Sequence, residues 1–335
     1  MKICLYLDLK RNFNGVLYKN IGSGIISAYK NQERLLKSLK IDFSDNIKDS
    51  WDILQINLPG PLSILQMKKA RKNNKKIIAW SHMTAEDFTG VFRIGGLSYP
   101  ITKKYLAYVY NLADLVFSPS EYTKGLLVSY GIPEEKIVVM SNGVDLKIFR
   151  KDKIKRKIGR EKHGAKGITI GTASLVVPRK GVDTFLSLVK QFPDNQFLWF
   201  GKIYNSFLAK ALPKDLPKNI DFKGYVQDVN EALNALDIFL FPSYEENQGM
   251  AIIEAAAVGL PLLIRDLPVY KGWLIHQENC LKAKNDKEFK KYLDLLIKDK
   301  SLRERLGKNA LKMAQDEDIL EIAKKTKRIY ENLLQ

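Results

Sequence analysis

Cysteine is nearly missing from this chain. The 335 residues hold two, Cys4 and Cys280, far apart and without metal-ligand spacing, which excludes both a disulfide framework and a paired-cysteine zinc motif. They read as reduced structural thiols, Cys4 inside a buried first strand. Histidine is scarce too, with three copies. No H-E-x-x-H motif occurs and no Asp-x-Asp sits at a strand end, so no metal or cofactor is expected. No run of 18 apolar residues exists, and the apolar start is broken by Asp8, too short for a secretory signal or a membrane span. The expected location is the cytoplasm, with membrane contact only peripheral. Acids are outnumbered, 37 Asp and Glu against 55 Lys and Arg, for a net charge of +18. Such an excess suits a lysine-rich soluble protein or attraction to the phosphates of nucleic acid, anionic lipid or a nucleotide. The basic runs lack interleaved stacking aromatics, and no zinc-finger or RNP pattern appears, which argues against a nucleic-acid partner.

What is present is enough for two ordinary cores. An apolar fraction of 45% and a charged fraction of 27% are those of a folded globular chain, and the length suits two domains. Short apolar runs at 3–7, 53–56, 77–80, 115–117 and 137–140 alternate with amphipathic stretches at 24–39, 61–73, 100–112 and 121–130. Strands buried on both faces read as continuous apolar runs, and their alternation with helices predicts a parallel sheet wound on both sides. The pattern restarts at 168–170, 197–200, 238–241 and 262–264. Between the two halves, 150–162 holds eight Lys or Arg against two acids, as expected of a solvated connection. The fold class is therefore α/β, two Rossmann-like doubly wound domains over 1–155 and 156–316. A helix within 317–335 carries the apolar stripe Ile319, Ile322, Ala323, Tyr330 and Leu333, and is expected to pack on a neighbour, with the first domain among the candidates. Asp114-Leu-Val-Phe-Ser-Pro119-Ser120 is echoed by Asp237-Ile-Phe-Leu-Phe-Pro242-Ser243. Ser118 is the expected helix cap of the first copy, with Pro119 at the first helical position and Glu121 closing a capping box.

The stretch Phe241-Pro-Ser-Tyr-Glu245-Glu246-Asn247-Gln248-Gly249-Met250 leads into an apolar helix holding Glu254 and ending near Gly259-Leu260-Pro261. A polar loop thus meets a helix N-terminus at the carboxyl edge of a parallel sheet, the place where doubly wound folds bind ligands and where free N–H groups favour phosphate. A carboxylate there needs hydroxyls to accept from, as a ribose or sugar provides. A lone junction of this kind would more simply use its acids to complement the helix dipole.

The whole string resembles the donor-site signature of glycosyltransferase family 4: two glutamates, Glu246 and Glu254, with seven residues between them, Gly249 before the helix, and Gly-x-Pro after it. Asn247-Gln248 replace the usual Gly-Phe. Pro178-Arg179-Lys180-Gly181-Val182-Asp183 resembles the family's basic patch for the donor diphosphate; Ser174 stands where a second basic residue is usual. Gly22-Ser23-Gly24 is similar to the glycine-rich N-terminal loop, and Asn142-Gly143-Val144-Asp145 with Phe149 to the turn ending the first domain. His82-Met-Thr-Ala-Glu-Asp87-Phe88 looks like the corresponding loop of members that build bacterial glycosyl-diacylglycerols, as do Ser23-Gly24-Ile25 and Leu267-Pro-Val-Tyr270.

The resemblance implies a GT-B fold, its two domains facing across a cleft, and transfer of a hexose from a nucleotide sugar, UDP-glucose or UDP-galactose, with retained anomeric configuration and no metal. It implies donor contacts from Ser23, Gly24, Arg179, Lys180, Asn247, Gln248, Gly249, Met250 and Glu254, and catalytic roles for His82 and Glu246. A membrane lipid such as diacylglycerol or a glycosyl-diacylglycerol is the implied acceptor, on an anionic inner surface that segment 91–100 and Lys68, Lys69, Arg71, Lys72, Lys75 and Lys76 would touch. Other readings are a family 4 enzyme with a soluble or polysaccharide acceptor, a nucleotide-sugar epimerase of the same architecture, and a nucleic-acid-binding protein.

Overall fold

The computed structural model describes residues 1–8, 23–89, 95–203, 212 and 215–335. The chain forms two compact units, one from the described residues within 1–89, 94–143 and 319–335, the other from those within 144–318. In the first, β1 (Lys2–Tyr6), β2 (Asp42–Ser44), β3 (Ile53–Ile56), β4 (Lys76–Trp80), β5 (Leu115–Ser118) and β6 (Ile137–Val139) form one sheet in the order β2-β1-β3-β4-β5-β6. Every pairing is parallel. Alternate residues of β1 enter separate cores, as a period of two requires. Cys4 and Tyr6 join Met67, Leu106 and Tyr110 on one face, whereas Ile3 and Leu5 join Tyr29, Trp80 and Phe117 on the other.

That second core also takes Ile322, Ala323 and Tyr330 of the last helix, Ile319–Leu334. Each large side chain buried this way contributes ~1.5–3 kcal/mol, which ties the end of the chain to the unit that contains its beginning.

In the second unit β7 (Thr169–Ala173), β8 (Gln196–Phe200), β9 (Ile220–Gly224), β10 (Ile238–Phe241), β11 (Leu262–Arg265) and β12 (Leu281–Ala283) run in the order β12-β11-β10-β7-β8-β9, again all parallel. Phe185, Phe197, Trp199, Leu240 and Phe289 fill its core.

The units divide after Gly143 rather than near 155, and the basic stretch is no free connection. Asp152 caps a helix over Lys153–His163 by accepting from the backbone of Ile154 and Lys155. Arg156 and Arg160 both reach the carboxylate of Asp237, at 2.6 and 3.0 Å, and the Arg150 and Asp152 amides donate to Asn230 and Asn234. Lys155, Arg156, Arg160 and Lys162 are thus paired with carboxylates of the same unit far off in sequence. The echoed aspartates share one role: Asp114 accepts from the Ile77 amide at 2.7 Å and Asp237 from the Thr169 amide at 2.9 Å, each pinning the start of a neighbouring strand. After β5 the helix is Glu121–Ser129 and its cap is Ser120, whose Oγ accepts from the Thr123 amide. Ser118, expected to be the cap, is the last residue of β5 and donates to the Ser120 carbonyl instead.

Candidate active site

In the second unit, β10 runs out through Pro242 into the loop that ends at Gly249, and an eight-residue helix, Met250–Ala257, begins at the expected place. It ends with Val258 as its C-cap, just before Gly259. Gly249 caps the start with φ at 92°, a left-handed conformation that glycine adopts without steric cost. Opposite lies the turn Pro178–Lys180, closed by Gly181 at φ 74°. A Cβ on Gly181 would stand 2.2 Å from the Pro242 carbonyl oxygen, so the turn and the end of β10 touch backbone to backbone. The Tyr244 amide donates to the Arg179 carbonyl at 2.8 Å.

This approach brings Arg179, Lys180 and Glu246 into one cluster. The Lys180 ammonium is paired with Glu246 Oε1, Ser243 Oγ donates to the same oxygen at 2.7 Å, and the ammonium lies 5.3 Å from the centre of the Phe241 ring. Arg179 Nη1 donates to the Glu245 carbonyl at 2.7 Å. Glu246 is 7% exposed. Burial by itself pushes its pKa up, but the charges of Lys180 and Arg179, with hydrogen bonds from Lys180 and Ser243, outweigh this and hold it below the usual carboxylate value. Glu254 is buried within the helix and Gln248 is buried before it, while Asn247 and Met250 are half-buried. Sequence reasoning did not give a part to Ser243 or Tyr270. The Tyr270 hydroxyl is fully buried without a hydrogen-bond partner among the described residues, and burial first, then the charge of Glu246, pushes its pKa well up. In the sequence Ser243 was marked by the Pro-Ser echo and by its place in the donor-site string, without a role.

The remaining candidates belong to the first unit. The helix Ser23–Ser38 starts at Ser23, and Gly24 is exposed on it; Gly22 and the side chain of Ser23 lie outside the described residues, as does the 91–94 part of segment 91–100. His82 follows β4 and stacks on Trp80, ring centres 5.3 Å apart and planes 12° from parallel. Its Nε2 is 3.2 Å from Asn57 Oδ1 and 3.5 Å from Gln32 Nε2. Burial lowers its pKa to about 4, so the ring is neutral at pH 7. The acids beside it hold the loop. Asp87 accepts from the amide and hydroxyl of Thr84 at 2.9 and 3.2 Å, and Glu86 accepts from the hydroxyls of Tyr99 and Tyr130. The Ala85 amide donates to the Tyr130 oxygen at 3.0 Å.

Two parallel six-stranded Rossmann-like units in one chain, the second with a basic turn and a glutamate loop gathered at a helix N-terminus, have the architecture of a GT-B glycosyltransferase. Solved structures share it. The Anabaena HepE structure in complex with UDP and glucose superposes with a TM-score of 0.77 at 16% identity, over 99% of this chain and 100% of that one. Residues 152–313 match the glycosyl transferases group 1 family and residues 18–148 match Glycosyltransferase Family 4. The processive diacylglycerol alpha-glucosyltransferase of Acholeplasma laidlawii is 30% identical over 93% of this chain and 94% of its own length. The alpha-galactosylglucosyldiacylglycerol synthase of Streptococcus pneumoniae is 28% identical over 76% and 71%. The chain belongs to glycosyltransferase family 4.

Proposed function

We propose that this chain is a retaining glycosyltransferase that moves a hexose from UDP-glucose or UDP-galactose onto diacylglycerol or a glycosyl-diacylglycerol at the inner face of a membrane. The observation that carries the donor half is the Arg179, Lys180 and Glu246 cluster beside the N-terminus of helix Met250–Ala257. Arg179, Lys180 and the helix N–H groups hold the diphosphate and take up its charge as it leaves; losing one such donor costs ~3 kcal/mol of barrier. Glu254 accepts from ribose hydroxyls, and Asn247, Gln248, Gly249 and Met250 line the donor together with Ser23 and Gly24. Glu246 and neutral His82 bind the sugar. The reaction is a front-face displacement: the bond from the anomeric carbon to the diphosphate oxygen breaks, the acceptor oxygen bonds on the same face, and its proton passes to the departing diphosphate.

The first unit supports the lipid acceptor. Helix Pro61–Lys72 exposes Leu62 and Leu65, and helix Gly95–Asn111 exposes Ile101 and Tyr108. Lys68 lies 5.7 Å from the Tyr108 ring centre, so the two helices share one surface, with Lys69, Arg71 and Lys72 also exposed. Apolar side chains beside long cations suit the boundary between headgroups and acyl chains, each cation adding ~1 kcal/mol near anionic lipid, less at high salt. No helix among the described residues is long and apolar enough to cross a membrane. The names of the two relatives above point to the same class of acceptor.

The test is incubation with UDP-glucose and UDP-galactose, in parallel with vesicles of anionic lipid containing diacylglycerol and with soluble glycans, read by mass spectrometry. Hexosyl-diacylglycerol is expected. A soluble product alone would make the chain a family 4 enzyme of polysaccharide or small acceptors, interconversion of the two donors would make it an epimerase, and salt-sensitive oligonucleotide binding without turnover would sink the enzymatic reading.

A further inference from the structure

His82 stands at the end of a buried chain of polar side chains that begins on the last helix. The Tyr330 hydroxyl donates to Gln55 Oε1. That leaves the Gln55 amide nitrogen to donate to Gln32 Oε1 at 2.8 Å, which in turn points the Gln32 nitrogen at His82 Nε2, 3.5 Å away. Each link fixes the orientation of the next amide, since an amide whose oxygen is taken presents its N–H₂ on the other side. Gln32, Gln55 and Tyr330 are 5%, 0% and 1% exposed, so the chain is shielded from bulk solvent. The same ring nitrogen lies 3.2 Å from Asn57 Oδ1, so a bare Nε2 accepts from Gln32 and a protonated one donates to Asn57, and Trp80 stacks on the ring.

A core seeking stability alone would gain from apolar residues at positions 32 and 55, because a buried amide only recovers its desolvation cost when fully bonded. Gln55 lies at the centre of a strand whose neighbours Ile53, Leu54 and Ile56 are all apolar and buried. The contacts of its two amide atoms run toward Tyr330 and toward the histidine, which is where its polarity is used.

We propose that Gln32, Gln55 and Tyr330 are positioning residues for His82, so that the chain's last helix sets the orientation of the histidine at the sugar site. The proposal rests on the reading above that His82 acts on the sugar. Loss of the chain leaves the binding of UDP by Arg179, Lys180 and Glu254 of the second unit untouched and lowers turnover by letting the imidazole rotate away from its working angle.

Three histidines in the chain make the His82 ring accessible to nitrogen-15 NMR. Gln32→Glu keeps an acceptor for Gln55 but puts a carboxylate at Nε2; the His82 titration, near pH 4 in the parent, should move up by roughly 1 to 3 pH units. Tyr330→Phe removes one oxygen. It should shift the His82 ring signals and lower kcat with UDP-hexose and diacylglycerol vesicles roughly fivefold, the rate equivalent of one neutral hydrogen bond, with UDP affinity unchanged. His82 titrating in Gln32→Glu as it does in the parent overturns the proposal, and so do unchanged ring signals in a folded Tyr330→Phe. A His82→Ala variant run beside them separates the two claims. If it loses turnover while Tyr330→Phe keeps it, the positioning role fails alone; if His82→Ala itself keeps full turnover, the role of the histidine fails and the positioning role falls with it.

Discussion

Replacing Lys180 by methionine keeps the length of the side chain and removes its charge, which isolates the ion pair at the centre of the candidate donor site. The partners are 13% and 9% exposed, so solvent screens them little. Removing one member of a buried pair typically costs 3–5 kcal/mol because the other charge stays buried and unmatched. Ser243 and the nearby charge of Arg179 remain to help Glu246, which puts Lys180→Met at the lower end, about 3 kcal/mol. The pH dependence has a definite sign. In the parent, Glu246 has a folded pKa below its ordinary 4.5; it adds stability above that value, and the contribution disappears as pH falls through the depressed one. In Lys180→Met burial dominates, the pKa rises, the carboxylate destabilises at neutral pH, and protonation relieves it as pH falls. The gap between variant and parent is therefore widest at pH 7 and narrows toward pH 4.5 and below. Urea unfolding at several pH values, followed through Trp199 in the core of the second unit, measures it. Adding Glu246→Gln to Lys180→Met should restore most of the loss. Strict additivity of the two substitutions, or a Lys180→Met gap that does not change with pH, would refute the coupling.

Further predictions address other parts of the account. Arg179→Ala and Glu254→Ala should each weaken UDP binding in calorimetry by at least tenfold, and tight binding by both would remove the donor site from the second unit. Gly181→Ala forces a side chain into φ 74° and against the Pro242 carbonyl oxygen; it should lower stability by more than about 2 kcal/mol in chemical denaturation and weaken UDP binding together, because the turn that presents Arg179 and Lys180 must shift. Leu65→Ser with Ile101→Ser should reduce sedimentation with anionic vesicles while leaving the UDP affinity of the parent, and unchanged sedimentation would free that surface from any membrane role.

The central strands were legible because both of their faces are buried, and an apolar run such as Phe239-Leu240-Phe241 admits few other readings. The three strands absent from the sequence reading, Asp42–Ser44, Ile220–Gly224 and Leu281–Ala283, are all sheet edges. Each includes partly exposed residues and a polar or charged side chain, so none shows a long apolar signature. Stretch 150–162 is largely exposed, as its charge implied; what the sequence could not show is that Arg156 and Asp152 meet Asp237 and Asn234, some 80 positions further along. The donor loop was legible as a string of residue types, down to the glycine before its helix. What the string could not show is that Lys180 and Glu246 meet, or that Ser243 shares the same oxygen. The surroundings of His82 were hidden most completely, since Gln55 and Tyr330 are 275 positions apart in sequence and only the fold makes them neighbours.

The central claim, transfer of a hexose to a membrane lipid with retention, is tested most directly by the stereochemistry of the product. Vesicles containing diacylglycerol and anionic lipid would be incubated with the enzyme and carbon-13-labelled UDP-glucose, with labelled UDP-galactose as the parallel donor, and the lipid fraction examined by NMR at its anomeric position. The account predicts a labelled hexosyl-diacylglycerol with the α configuration of the donor, formed at a rate that Glu254→Ala and His82→Ala both depress. A β-linked product, or label that never enters the lipid fraction with either donor, would contradict it.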